Sequence, residues 1–154
     1  MPEVTIDITL PQDQWGTALA KLDRQTILGA IKRGMDRGVK YAEGQIIAKR
    51  LTGQGPFPPS EHRLGVRTGR LRASVRSTAA VIAGDIVTAS IGSDVVYAPV
   101  HEFGFTGTVR GRSGRSRSMR IPERAPFRIG LQENLDYITN EIGDEIQKEL
   151  GDAQ

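Results

Sequence analysis

His101 and Glu102 stand side by side in YAPVHEFG, residues 97 to 104. A histidine next to a glutamate is a pairing used both in general acid–base catalysis and in metal binding. In a zinc-protease helix, the glutamate follows the first of two histidines set four residues apart. Four residues after His101 the chain has Phe105, so the second ligand is missing. The other histidine, His62, lies beside Glu61 in a stretch rich in glycine and proline, and its spacing suggests no ligand set. The chain has no cysteine, which removes thiolate ligands, disulfides and a cysteine nucleophile. GRSGRS, residues 111 to 116, is rich in glycine but lacks the lysine and following helix of a phosphate loop. No glycine-flanked serine sits on a strand-to-helix turn where a hydrolase would hold its nucleophile.

These residues predict no catalytic centre, no metal and no cofactor, and YAPVHEFG reads as a structural joint. Tyr97 and Phe103 are its large anchors, with Phe103 entering the core. Pro99 fixes the backbone, and Gly104 permits a left-handed exit. Glu102 accepts backbone N–H groups or pairs with an arginine.

Arginine is the other residue type able to do chemistry here. The chain holds 16 Arg to 5 Lys, which favours bidentate contacts to carboxylate or phosphate. Arg63, Arg67, Arg70, Arg72 and Arg76 form one cluster with no acid among them. Arg110, Arg112, Arg115, Arg117, Arg120 and Arg124 form a second, opposed only by Glu123. The end reverses the sign: Glu133, Asp136, Glu141, Asp144, Glu145, Glu149 and Asp152 face Lys148 alone. The formal net charge of +3 hides this segregation. Two basic loops and an acidic helix suit a nucleic-acid binder, or a subunit that docks on its own copies. No aromatic lies between Gly107 and Pro126, so base stacking on a single strand is not expected, and any nucleic-acid contact is to backbone phosphate.

The elements that must position these residues follow from periodicity. EVTIDITL alternates apolar and polar residues and predicts a half-buried strand over 3–10. Trp15, Leu19 and Leu22 predict a short helix. Ile27, Ile31, Met35, Val39, Ala42 and Ile46 form the stripe of a long helix ending near Leu51. Gly29, Gly34, Gly38 and Gly44 lie within it, each costing about 1 kcal/mol relative to Ala. A helix that keeps them is held by close packing on a neighbour. Residues 52 to 69 predict a loop, flexible over 52–67. Residues 70 to 83 and 85 to 94 predict two strands joined by a turn at Gly84-Asp85. Residues 105 to 120 predict an extended arm or hairpin tip. Phe127, Leu131, Leu135, Ile138, Ile142, Ile146 and Leu150 predict one terminal helix over 126–150. The expected fold is a single α+β domain over 1–154: a small antiparallel sheet packed with a long central helix and a long terminal helix, with loop and arm insertions. No apolar run reaches the roughly 20 residues of a membrane span, and the N-terminus has no secretory pattern. That suits the cytoplasm, or an assembly made there.

Three stretches together resemble the tail-component family of long-tailed DNA bacteriophages, described as tail-completion, neck or head–tail joining proteins. They are VRTGRLRASV (66–75), YAPVHEFG (97–104) and IPERAPF (121–127) opening the terminal helix. The family pattern falls on Thr68, Gly69 and Leu71, then Tyr97, Ala98, Glu102, Phe103 and Gly104, then Pro126 and Phe127. The resemblance implies a non-enzymatic virion protein of the neck, assembled in the host cytoplasm. It implies a ring, commonly sixfold, that partners itself, the head–tail connector and the tail tube or tail terminator. The arm is richer in arginine than the pattern requires, so Arg110, Arg112, Arg115 and Arg117 are candidate contacts to a neighbouring protein or to DNA in the channel. The alternative from the residues themselves is a non-specific nucleic-acid-binding protein.

Overall fold

A computed structural model describes residues 3–8, 22–52 and 63–152. The helix expected around Trp15 and most of the loop expected from 52 lie outside the described residues. The alternating N-terminal segment forms strand β1 (Glu3–Ile8). The long stripe forms helix α1 (Arg24–Arg50), capped by Asp23, whose Oδ1 accepts the Thr26 N–H at 3.0 Å.

The expected strand over 70–83 is three pieces. Arg70–Ser74 turns as a short helix, α2, before strand β2 (Val75–Ser77) and strand β3 (Val81–Ala83). The break has a cause in α1. Ala80 N donates to Asp36 Oδ1 at 2.6 Å instead of joining a strand ladder. Ser77 N donates to Glu43 Oε2 at 2.7 Å. Asp36 takes the Ala80 N–H out of the ladder, while Ser77, held by Glu43, stays paired within β2, and no periodicity within 70–83 could reveal that.

Strand β4 (Ile86–Ser93) is the centre of the sheet. β1 lies antiparallel along one edge, from Glu3 opposite Gly92 to Ile8 opposite Val87. On the other edge, β2 pairs with the end of β4 and β3 with its start, across the Gly84-Asp85 turn. Val87, Ala89 and Ile91 are buried, and the register puts Ile6 and Val4 on the same face. That face packs on α1.

Two further helices complete the body. The expected single terminal helix breaks at Glu133-Asn134 into α4 (Pro126–Gln132) and α5 (Leu135–Asp152), here numbered after a short helix, α3 (Ala98–Phe103). Asn134 makes the break: it is buried, and its Nδ2 donates to the Gly130 carbonyl at 2.7 Å. A side chain that takes a backbone acceptor competes with continued helix.

α5 lies antiparallel on α1 and supplies the close neighbour that the glycines demand. A Cβ at Gly34 would meet Ile142 Cα at 2.5 Å, and one at Gly38 would meet Ile138 Cα at 2.8 Å. Gly29 and Gly44 meet no such backbone, so packing accounts for two of the four glycines. Beside this contact run the ion pairs. Glu145 accepts from Lys148 Nζ at 2.6 Å, Arg37 at 2.7 Å and Arg33 at 2.8 Å. Arg37 also reaches Glu141 at 2.8 Å, and Arg33 reaches Glu149. The acidic terminal helix therefore neutralises much of its charge within its own chain.

Candidate functional site

YAPVHEFG forms the short helix α3, and its glutamate joins two distant parts of the sequence. Glu102 is 1% exposed. Its Oε2 accepts the Phe127 N–H and its Oε1 the Arg128 N–H, both at 3.0 Å. These are donors that the first turn of α4 cannot satisfy internally. Burial pushes the Glu102 carboxyl above its usual range, while the two backbone donors pull it back down. Phe127 beneath it is fully buried and Pro126 is buried beside it. The second and third stretches of the sequence pattern are thus one hydrogen-bonded unit.

The anchoring residues fall differently from expectation. Ala98 is the buried member of the joint, whereas Tyr97 is 39% exposed and Phe103 is 61% exposed. Phe103 does not enter the core. In a six-residue helix only one side faces inward, and Ala98 and Glu102, four apart, occupy it. Gly104 leaves at φ 75° and ψ 173°, a region open essentially to glycine alone, and a Cβ there would meet Glu123 N at 2.9 Å.

On the other side of the joint, the His101 carbonyl accepts from Arg124 N at 3.0 Å and Ala125 N at 3.2 Å. Ala125 is held at φ 41°, a left-handed conformation that a non-glycine residue adopts at a cost of roughly 1–2 kcal/mol. It is buried between Arg124 and Pro126 and lies next to a cleft. His101, Tyr97 and Arg124 line that cleft together with Thr68, Gly69 and Leu71, so residues from all three stretches lie at or beside one place. The His101 ring meets Tyr97 edge-on with centroids 5.9 Å apart, and its buried Nδ1 has no hydrogen-bond partner among the described residues. Burial, then the Arg124 guanidinium, holds the imidazole below its usual range. No cluster of three or more metal-ligating side chains occurs among the described residues.

The second arginine cluster forms a two-stranded hairpin. β5 (Phe105–Arg110) pairs antiparallel with β6 (Ser116–Ile121), from Phe105 opposite Ile121 to Arg110 opposite Ser116. Arg110, Arg112, Arg115 and Arg117 are all exposed, and neither strand packs substantially on another element. The composition of 111–116 hides an apolar face on this hairpin: Phe105, Val109, Met119 and Ile121 share one side and are half-buried. Sequence reasoning misses Arg124 as a site residue. The sequence carries no signal for it, because only the fold shows that the nearest acids in sequence, Glu102 and Glu123, are both used elsewhere. Glu102 caps α4, and Glu123 pairs with Arg128.

No helix among the described residues is long and apolar enough to cross a membrane. In comparisons with known proteins, the chain matches no family model, no curated protein and no solved structure.

Proposed function

We propose that this chain is a structural protein of a tailed bacteriophage virion, forming a ring at the head–tail junction that joins tail to head. The observation that carries the reading is the hairpin: four exposed arginines on a ribbon that stands apart from the core. A domain gains little stability from such a ribbon, so its use lies in what it touches. The resemblance of the three stretches supplies the setting. Glu102 ties the second stretch to the third, which is the kind of contact that would preserve such a pattern.

Ring formation needs head-to-tail contacts between two different surfaces of one subunit. The arginine hairpin is one. The exposed side of α5, with Asp136 and Asp144 still facing solvent after the seam has taken Glu141, Glu145 and Glu149, is the other. Their complementary charge sets register between copies. Six copies are proposed, with the connector above and the tail tube or terminator below. Electron micrographs of particles assembled without the chain test this. Free heads beside free tails are expected, and complete virions would refute it. The competing reading, a non-specific nucleic-acid binder, is favoured by the same hairpin, since the major groove admits a two-stranded ribbon. It would instead show steeply salt-dependent binding of random duplex by the free protein.

A further inference from the structure

The cleft beside the joint has a property that the junction reading does not use. Its volume is about 650 Å³, and the charged side chains that line it among the described residues are all arginines. Arg67, Arg70 and Arg72 are exposed at its edge. Arg124 is 8% exposed, and its Nε is buried with no hydrogen-bond partner among the described residues. No acid among the described residues lines the cleft. A buried arginine with no carboxylate among the described residues of its cleft is an expensive arrangement, because burial removes water and no opposite charge there replaces it. The walls around it are apolar: Leu51, Leu64, Val66, Leu71 and Ile121.

We infer that this cleft is a socket for a carboxylate carried on an apolar protein segment, received by Arg124 at depth and by Arg67, Arg70 and Arg72 at the mouth. The recess decides between anions. A duplex presents phosphates on a broad polar surface and cannot send one past apolar walls to a side chain that is nine-tenths buried. A glutamate side chain or a chain terminus places its charge at the tip of an apolar stem, and that shape matches an apolar wall with a cation behind it. The guanidinium fork then binds both oxygens. The strained backbone at Ala125, next in sequence to Arg124, adds support, since strain of this kind collects at binding sites. The socket does not depend on which assembly the chain enters.

The test uses the full chain and two short peptides, Ac-Leu-Glu-Leu-NH2 and its Gln twin, followed by the NMR signals of the His101 ring. The Glu peptide is expected to bind saturably and to shift His101 but not His62. The Gln twin is expected to bind at least about tenfold more weakly, as is the Glu peptide to Arg124→Met. Arg67→Gln with Arg72→Gln, at the exposed mouth, is expected to weaken binding a few-fold and leave the fold intact. Should Arg124→Met fail to fold, the His101 shift and the mouth variant decide alone. Equal binding of the twins, an unmoved His101, or a random 20-base-pair duplex that displaces the Glu peptide from the cleft would overturn the inference. So would a gain of about tenfold or more in peptide affinity in Glu61→Gln, which would assign Arg124 to a carboxylate of its own chain.

Discussion

The α1–α5 seam and the β5–β6 hairpin are both rich in arginine, and they use it in opposite ways. In the seam, Arg33 and Arg37 each reach two glutamates of α5, flanking glycines that let the helix backbones touch. In the hairpin, Arg110, Arg112, Arg115 and Arg117 stand in solvent on a ribbon that makes few contacts with the rest of the fold. Residue type therefore says little about role. What separates the two regions is whether the fold brings a carboxylate within reach. The seam's arginines are paired within the chain, while the hairpin's four have no carboxylate within ion-pair distance among the described residues. The cleft lies between these cases, with a buried arginine whose fold supplies no acid among the described residues.

The contrast breaks most easily at the glycines. Gly34→Val would force a side chain into the Ile142 backbone and is expected to cost about 3 kcal/mol or more, read as a large fall in denaturation midpoint. A near-neutral result would mean that the helices are not in contact there.

Next in size is the joint. Glu102→Ala removes a buried acceptor shared by two backbone donors and is expected to cost about 1.5–3 kcal/mol. His101→Ala loses a ring nitrogen that has no partner among the described residues and is expected to cost under about 1 kcal/mol. Equal losses in chemical denaturation would deny the glutamate its capping role.

The pH dependence is smaller, and its sign distinguishes seam from joint. Lys148, Arg33 and Arg37 lower the Glu145 carboxyl from 4.5 to about 2. A carboxyl whose folded value is depressed adds stability above its unfolded value and loses it as pH falls. The Glu145 contribution is thus present above 4.5 and fades toward 2. Glu102 is shifted the other way by burial, so its contribution is full below 4.5 and is lost as pH rises through the raised folded value. Denaturation midpoints of Glu145→Gln should lack part of the wild-type decline between 4.5 and 2, whereas an unchanged profile would show that the ion pairs contribute little.

Much of this is legible in the sequence, and the exceptions share a cause. The α1 stripe, β1, the Gly84-Asp85 turn and the capping role open to Glu102 all follow from local spacing or residue type. The need for a close neighbour at the glycines is legible too, though not which two meet it. What escapes depends on atoms far away in sequence. Asp36 takes the Ala80 N–H from across the core, between β2 and β3. Asn134 ends α4 by taking the Gly130 carbonyl, although the apolar period runs on through it. Phe103 is large and aromatic, which suggests the interior, but a helix of six residues has one inner side and Glu102 occupies it. Arg124 reads as one more basic residue because burial without a partner is a property of the fold alone.

On the proposed reading, the hairpin serves assembly and the seam serves folding. Changing Arg110, Arg112, Arg115 and Arg117 together to serine tests it in a single measurement, the yield of joined particles when the variant replaces the natural chain during assembly. The variant is expected to keep its stability within about 0.5 kcal/mol and to leave heads and tails unjoined. A normal yield of joined particles from that variant would contradict the account.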